Sequence, residues 1–218
     1  MNDRKVATWL AGLGAAVTTI GVLSTGAANA DTFVPLPGGQ ITRTLSDGTV
    51  VTVRLVNESA TISPSMGSTP VHRNAWVSGR AEVSVSGEVT GSIQPGYVVG
   101  CQVNIDGGGV DGGASAESDW EGNASGGLTS GANLSLGPGQ ASSFLILDRE
   151  LADDFGNEDH SSTNPLKGSN GSVTWSDSTI GLNGCGGYAQ ARAFVKVKVK
   201  TDNVNSVVTL WGQPFSLG

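Results

Sequence analysis

Apolar and polar residues alternate with a period of two along most of this chain. Residues 193–201, AFVKVKVKT, set Val195, Val197 and Val199 against Lys196, Lys198 and Lys200, the pattern of a strand with one face buried and one face wet. The lysines suit a solvated face that also discourages edge pairing; a basic binding stripe is the competing use. The same alternation runs through Ile41–Leu45 and Thr49–Val56, with Asp47-Gly48 between them. That dipeptide tolerates positive φ and favours a hairpin turn. NAWVSGRAEVSVSGEV, residues 74–89, places Val83, Val85 and Val89 on one parity, and VVTLW, 207–211, predicts a final strand. Helical stripes are almost absent. Short strands and Gly-rich turns together predict an all-β domain, a sandwich or barrel-like body.

One tract breaks this pattern. GCQVNIDGGGVDGGASAESDWEGNASGG, residues 100–127, holds nine glycines and five carboxylates, with no lysine or arginine. It cannot build a core of its own. Val99, Cys101, Val103 and Ile105 share one parity; beyond Gly107-Gly108-Gly109, Asp111, Ser115, Glu117, Asp119 and Glu121 share one face, and Val110, Ala114, Ala116 and Trp120 the other. A one-residue bulge in the glycine run reconciles the two registers. On the way back, Asn133 and Ser135 alternate with Ala132, Leu134 and Leu136, and an apolar run follows at Phe144–Leu147. The arms meet around 121–127, so residues 99–147 read as one long hairpin. Each arm reaches the roughly 9–11 residues of a transmembrane β-strand. A single hairpin leaves unpaired backbone at both edges, so it can cross a membrane only if several chains close a barrel together. The glycines and acids would then border water. Composition alone slightly favours a flexible Gly/Ser-rich linker.

The N-terminus shows where the chain goes. Arg4 and Lys5 precede an apolar run from Val6 to Val22, and Ala28-Asn29-Ala30 is an A-x-A site, the layout of a secretory signal peptide spanning 1–30. Removing it leaves 18 acids and 10 bases in residues 31–218, a net charge of −8. Such a surface argues against nucleic acid as a partner. Export meets oxidising conditions, so Cys101 and Cys185 can form one disulfide; two buried thiols are the alternative.

Residues 73–100, RNAWVSGRAEVSVSGEVTGSIQPGYVVG, resemble the rim segment of the MspA family of porins of the mycolate outer membrane. The resemblance rests on Arg73, Trp76, Ser78-Gly79-Arg80-Ala81 and Gly96-Tyr97-x-x-Gly100. GCGGYAQARAFVKVKV, LWGQPF and LGPGQ (Leu136 to Gln140) continue it in order, with nocardia- and rhodococcus-type subunits the most similar. The resemblance implies a β-sandwich rim in two parts, 31–98 and 148–218, with a barrel hairpin at 99–147. It implies eight subunits around a sixteen-stranded barrel, as a homo-oligomer or as a hetero-oligomer with a paralogous subunit, seated in outer-membrane lipid. It also implies passive diffusion of small hydrophilic solutes, with cations favoured.

The family's constriction acids carry over by position to Glu117, Asp119 and Glu121, although its adjacent Asp-Asp pair is absent. Same-parity acids repeated around a ring attract cations and exclude anions. Asp111, Ser115, Asn133 and Ser135 would line the pore. Trp120, of opposite parity, would sit at the membrane interface or at a subunit contact. Residues 147–168 look like an insertion.

Other chemistry lacks its parts. The two histidines, His72 and His160, form no metal-ligand spacing, and no nucleophile elbow or phosphate loop occurs. No enzyme activity, metal or cofactor is expected. A secreted binding or adhesion module with a Gly-rich loop is the competing reading.

Overall fold

In the computed structural model the described residues are 31–64, 71–103, 105, 117–118, 124–125, 132–136, 139–152 and 158–218. All the described regular structure is β. In chain order the strands are β1 (Thr32–Pro35), β2 (Gly39–Thr44), β3 (Val50–Pro64), β4 (Arg73–Cys101), β5 (Glu117–Ser118), β6 (Ala124–Ser125), β7 (Ala132–Ser135), β8 (Ala141–Leu145), β9 (Arg149–Ala152), β10 (Glu158–Ser161), β11 (Asn164–Asn183), β12 (Ala189–Lys200) and β13 (Asn205–Ser216).

β4 organises the body. Its 29 residues run through both halves of a curled nine-stranded sheet. The first half lies between β3 and β11; the second lies between β12 and β8, and β13 pairs β12. All of these pairings are antiparallel. Alternation fills the space between the halves: Val51, Val53 and Leu55 of β3, Val83 and Ile93 of β4, and Val195 and Val197 of β12 are all buried. Lys198 and Lys200 stay exposed on the other face of β12, as the KVKVK pattern predicts.

Three elements depart from the sequence reading. The hydrophobic run at 74–89 is the first half of a strand twice that length. β11, opposite it for sixteen paired positions, has no clean alternation, and periodicity predicts no strand there. The insertion at 147–168 contains a hairpin, β9–β10, joined at Asp148 Oδ1 and His160 Nδ1 over 2.7 Å.

The strands on either side of β4 are bulged at the same level. Opposite Ser78-Gly79, β3 and β11 both carry an extra residue: the register jumps between Val56 and Ser59 and between Trp175 and Ser178. Asn57 and Asp177 adopt positive φ (53° and 50°) at these bulges, a region that Asn and Asp enter more readily than other side chains. Ser78 Oγ accepts the Asp177 amide at 2.9 Å. Gly79 makes room for the Trp175 indole, since a Cβ there would lie 2.5 Å from Cζ2. Such bulges bend the strands that carry them, β3 and β11, and raise the local twist of the sheet.

Candidate functional site

β4, β8 and β12 meet at one junction at the edge of the body. β4 ends there at Cys101, between β12 and β8. Val99 faces Ala191 on one side and Ser142 on the other; Gly100 faces Gln190 and Ala141. Gly96 allows the strands to close here, because a Cβ would strike the Phe144 carbonyl and lie 2.5 Å from Phe194 Cζ. Tyr97, fully buried, holds the exit from inside. Its ring meets Phe144 of β8 and Phe215 of β13, each at 6.4 Å between centroids, and its hydroxyl accepts Trp175 Nε1 of β11 at 3.2 Å. Burial first, and the nearby Glu58 carboxyl second, push the phenol above its usual range.

Cys101 and Cys185 form a disulfide, which decides between the bridge and the two thiols. It joins the last residue of β4 to the glycine loop before β12. Main-chain bonds extend the junction past the bridge: Gln102 N to Tyr188 O, Gly186 N to Val103 O and Ile105 N to Gly184 O, each 2.9 Å. On the return side the Gly139 amide donates to Cys101 O at 3.1 Å and the Cys101 amide to Gln140 O at 3.2 Å. Three segments are thus tied together where the excursion starts.

Base and tip of the excursion are both antiparallel. Gly100 pairs Ala141, and Glu117 pairs Ser125. From Gly100 to Glu117 is seventeen steps (117 − 100), and from Ser125 to Ala141 sixteen (141 − 125). The two pairings differ by one residue in register, and most of the residues that link them lie outside the described residues. The glycine run where the sequence puts a one-residue bulge lies outside the described residues. So do the leader at 1–30 and the side chains of Asp111, Ser115, Asp119, Trp120 and Glu121. Glu117 is placed by its backbone, at the first position of the tip pair.

Asn133 and Ser135 stand elsewhere than opposite the outgoing arm. β7 runs parallel to the end of β11, with Asn133 beside Gly181 and Ser135 beside Asn183. Outside the hairpin, a polar groove of about 490 Å³ lies over β3, β4 and β11, where Arg54 and Arg80 both reach Glu82 at 3.7 and 3.2 Å. Such exposed pairs contribute little to stability.

A family model for MspA matches residues 47–216. The chain belongs to the MspA family. Its members are outer-membrane porins that work as oligomers, not enzymes, which places this chain in the cell envelope. No curated protein matches the chain. The match spans the motifs read from the sequence, and each has a distinct place in the fold. Ser78-Gly79 seats the β11 bulge and Trp175, Gly96-Tyr97 packs the end of β4, and Gly212 and Phe215 of LWGQPF close the core from β13.

Proposed function

We propose that the chain is one subunit of a water-filled, cation-preferring porin that passes small hydrophilic solutes and ions across a mycolate outer membrane. Each subunit contributes the 99–147 hairpin to a common barrel, eight hairpins giving sixteen strands, in a ring of identical chains or of this chain with a paralogous partner. Glu117, Asp119 and Glu121 form the narrow negative band. Asp111, Ser115, Asn133 and Ser135 line the lumen, and Trp120 meets the membrane boundary. The leader at 1–30 is removed on export.

The observation that carries this reading is the register of the excursion. An antiparallel base at Gly100–Ala141 and an antiparallel pair at Glu117–Ser125 differ by one residue, which supports reading the acid-bearing segment as the end of a ribbon with open edges. Backbone at those edges has no partner in hydrocarbon unless neighbouring ribbons supply it. Assembly then requires residues 132–135 to exchange their parallel partner on β11 for an antiparallel neighbour, the slightly more stable pairing per residue.

Planar-bilayer recording tests the reading. The wild-type oligomer gives conductance steps with a reversal potential on the cation side. Glu117, Asp119 and Glu121 changed together to Asn keep the steps and move the reversal potential toward zero. An unchanged potential removes those residues from the constriction. The pairing of β7 with its own β11 favours a second reading, a secreted rim-like module. A detergent-free monomer without conductance and with protease cleavage within 107–131 would establish that reading instead.

A further inference from the structure

Glu58 is a core residue of the rim whose chemistry neither the fold nor the channel uses. Along β3 the buried positions are odd up to Leu55, then even at Glu58 and Ala60. The change of parity is the bulge at Asn57, which turns Glu58 from the solvent face to the interior. The residue is 2 % exposed, and neither carboxyl oxygen has a hydrogen-bond partner among the described residues. The carboxyl occupies the slot left by a missing side chain on β13. A Cβ at Gly212 would lie 3.0 Å from Oε2, 3.3 Å from Oε1 and 3.2 Å from the Ala193 Cβ of β12.

No ionised group among the described residues meets it there. From β4 comes the neutral Tyr97 phenol, whose hydroxyl accepts Trp175 Nε1. From β12, Arg192 turns away: its Nε donates to Gly212 O at 2.9 Å and its guanidinium lies 5.2 Å from the Trp211 ring centre. β13 presents only Gly212. On β3 itself, Arg54 pairs with Glu82 on the outer face. β1 has no titratable side chain, and its connection to β2 is held by Leu36 N donating to Glu58 O at 2.9 Å.

We propose that Glu58 is a proton-operated latch for the N-terminal strand of the rim. Protonated, its carboxyl packs against Gly212 and the Asn57 bulge stays closed. Ionised, it must reach water, because an unpaired charge in this dry slot is too costly to keep. Its outward path reverses the bulge, which withdraws Glu58 O from Leu36 and frees β1 from Ser59–Ile62. The proton comes from and returns to solvent; no bond other than O–H is made or broken.

Burial pushes the carboxyl up from 4.5 to about 7, so the latch works across neutral pH. With the ordinary value in the open form, the opening constant rises about thirtyfold between pH 5.5 and 8.5. Amide exchange of the mature chain in detergent, corrected for intrinsic rates, reads this at Val34, Leu36 and Ala60. The expected result is a tenfold or greater gain at pH 8.5 in wild type and none in Glu58→Gln. Carbon-13 titration of the Glu58 carboxyl, expected at a midpoint near 7, serves as a second measurement independent of any variant. A midpoint near 4.5 overturns the latch. So does a β1 that exchanges no faster than β12 at pH 8.5, for then Glu58 titrates only when the whole rim unfolds. Neither outcome depends on channel activity, so failure of the latch leaves the porin reading intact.

Discussion

Replacing Cys101 and Cys185 together by Ser separates two effects of the bridge. The cysteines are 84 residues apart, so in a chain-entropy treatment the cross-link restrains a large loop of the unfolded chain. That restraint amounts to about 4.5 kcal/mol at 25 °C. A loss of this size moves the midpoint of guanidinium unfolding, followed by tryptophan fluorescence, by roughly 1 M for a chain of this length. The wild type under reducing agent shifts by a similar amount. The unfolded-state effect speeds exchange equally at every amide that opens only by global unfolding. The junction predicts something more. Gln102, Ile105 and Gly186 donate main-chain bonds around the bridge, on residues with few buried neighbours; Val103 and Ile105 are themselves exposed. Once the sulfurs part, these amides exchange faster than the global rate, while Val195 and Val197 of β12 do not. A midpoint moved by less than about 0.2 M refutes the magnitude. Uniform acceleration at all amides refutes the claim that the bridge clamps the base of the hairpin.

Other outcomes follow from the rim core. Trp175→Phe leaves the buried Tyr97 hydroxyl without its donor and costs about 1–3 kcal/mol in denaturant unfolding. Gly79→Val forces a side chain onto the same indole and costs a similar amount. Because the two share one contact, the double variant departs from additivity by at least about 0.5 kcal/mol in a double-mutant cycle. Global stability falls as pH rises from about 4.5 to about 7 and then levels off, because the folded state holds the Glu58 proton more tightly than the unfolded chain. The fall is about 3 kcal/mol, is read by urea midpoints at fixed ionic strength, and is absent in Glu58→Gln. The triple Asn variant of Glu117, Asp119 and Glu121 weakens cation preference without loss of assembly, as reversal potentials and the mass of the oligomer report.

Where one face of a strand is buried and the other wet, the sequence carries its own register, and β12 is legible residue by residue. β11 is not legible, for a physical reason. It carries a glycine at positive φ, Gly168, and register shifts at Gly168–Asn170 and Trp175–Ser178, so no parity survives long enough to be read. Glu58 escapes notice in the same way: counting by twos from Val51 puts it outside, and the left-handed Asn57 puts it inside. The cysteine pairing stays open in the sequence because two thiols in an exported chain satisfy either outcome until distance decides. Of the 99–147 segment, the described pairings include Gly96–Gly100 with Ala141–Leu145 and Glu117–Ser118 with Ala124–Ser125. Residues 132–135 take a partner on β11 that no periodicity announces, since an apolar–polar alternation specifies a face and not a neighbour.

The motifs that mark the family are scattered through the sequence and meet at one residue in the fold. Ser78-Gly79 admits Trp175, and Trp175 bonds Tyr97. Gly96 brings Phe144 against the strand, and Phe144 lies beside Tyr97. The terminal Gly-x-Pro-aromatic run supplies Phe215 to the opposite edge of Tyr97 and, at Gly212, the slot for Glu58. Tyr97 stands four residues before Cys101, fully buried near the end of β4. Four strands therefore fix the direction in which β4 departs, and the disulfide fixes the point of departure. In the proposed assembly, a barrel built from separate chains needs each 99–147 segment aimed before it meets its neighbours. Packing around Tyr97 supplies that aim from within the rim, which accounts for motifs that lie mostly outside the hairpin.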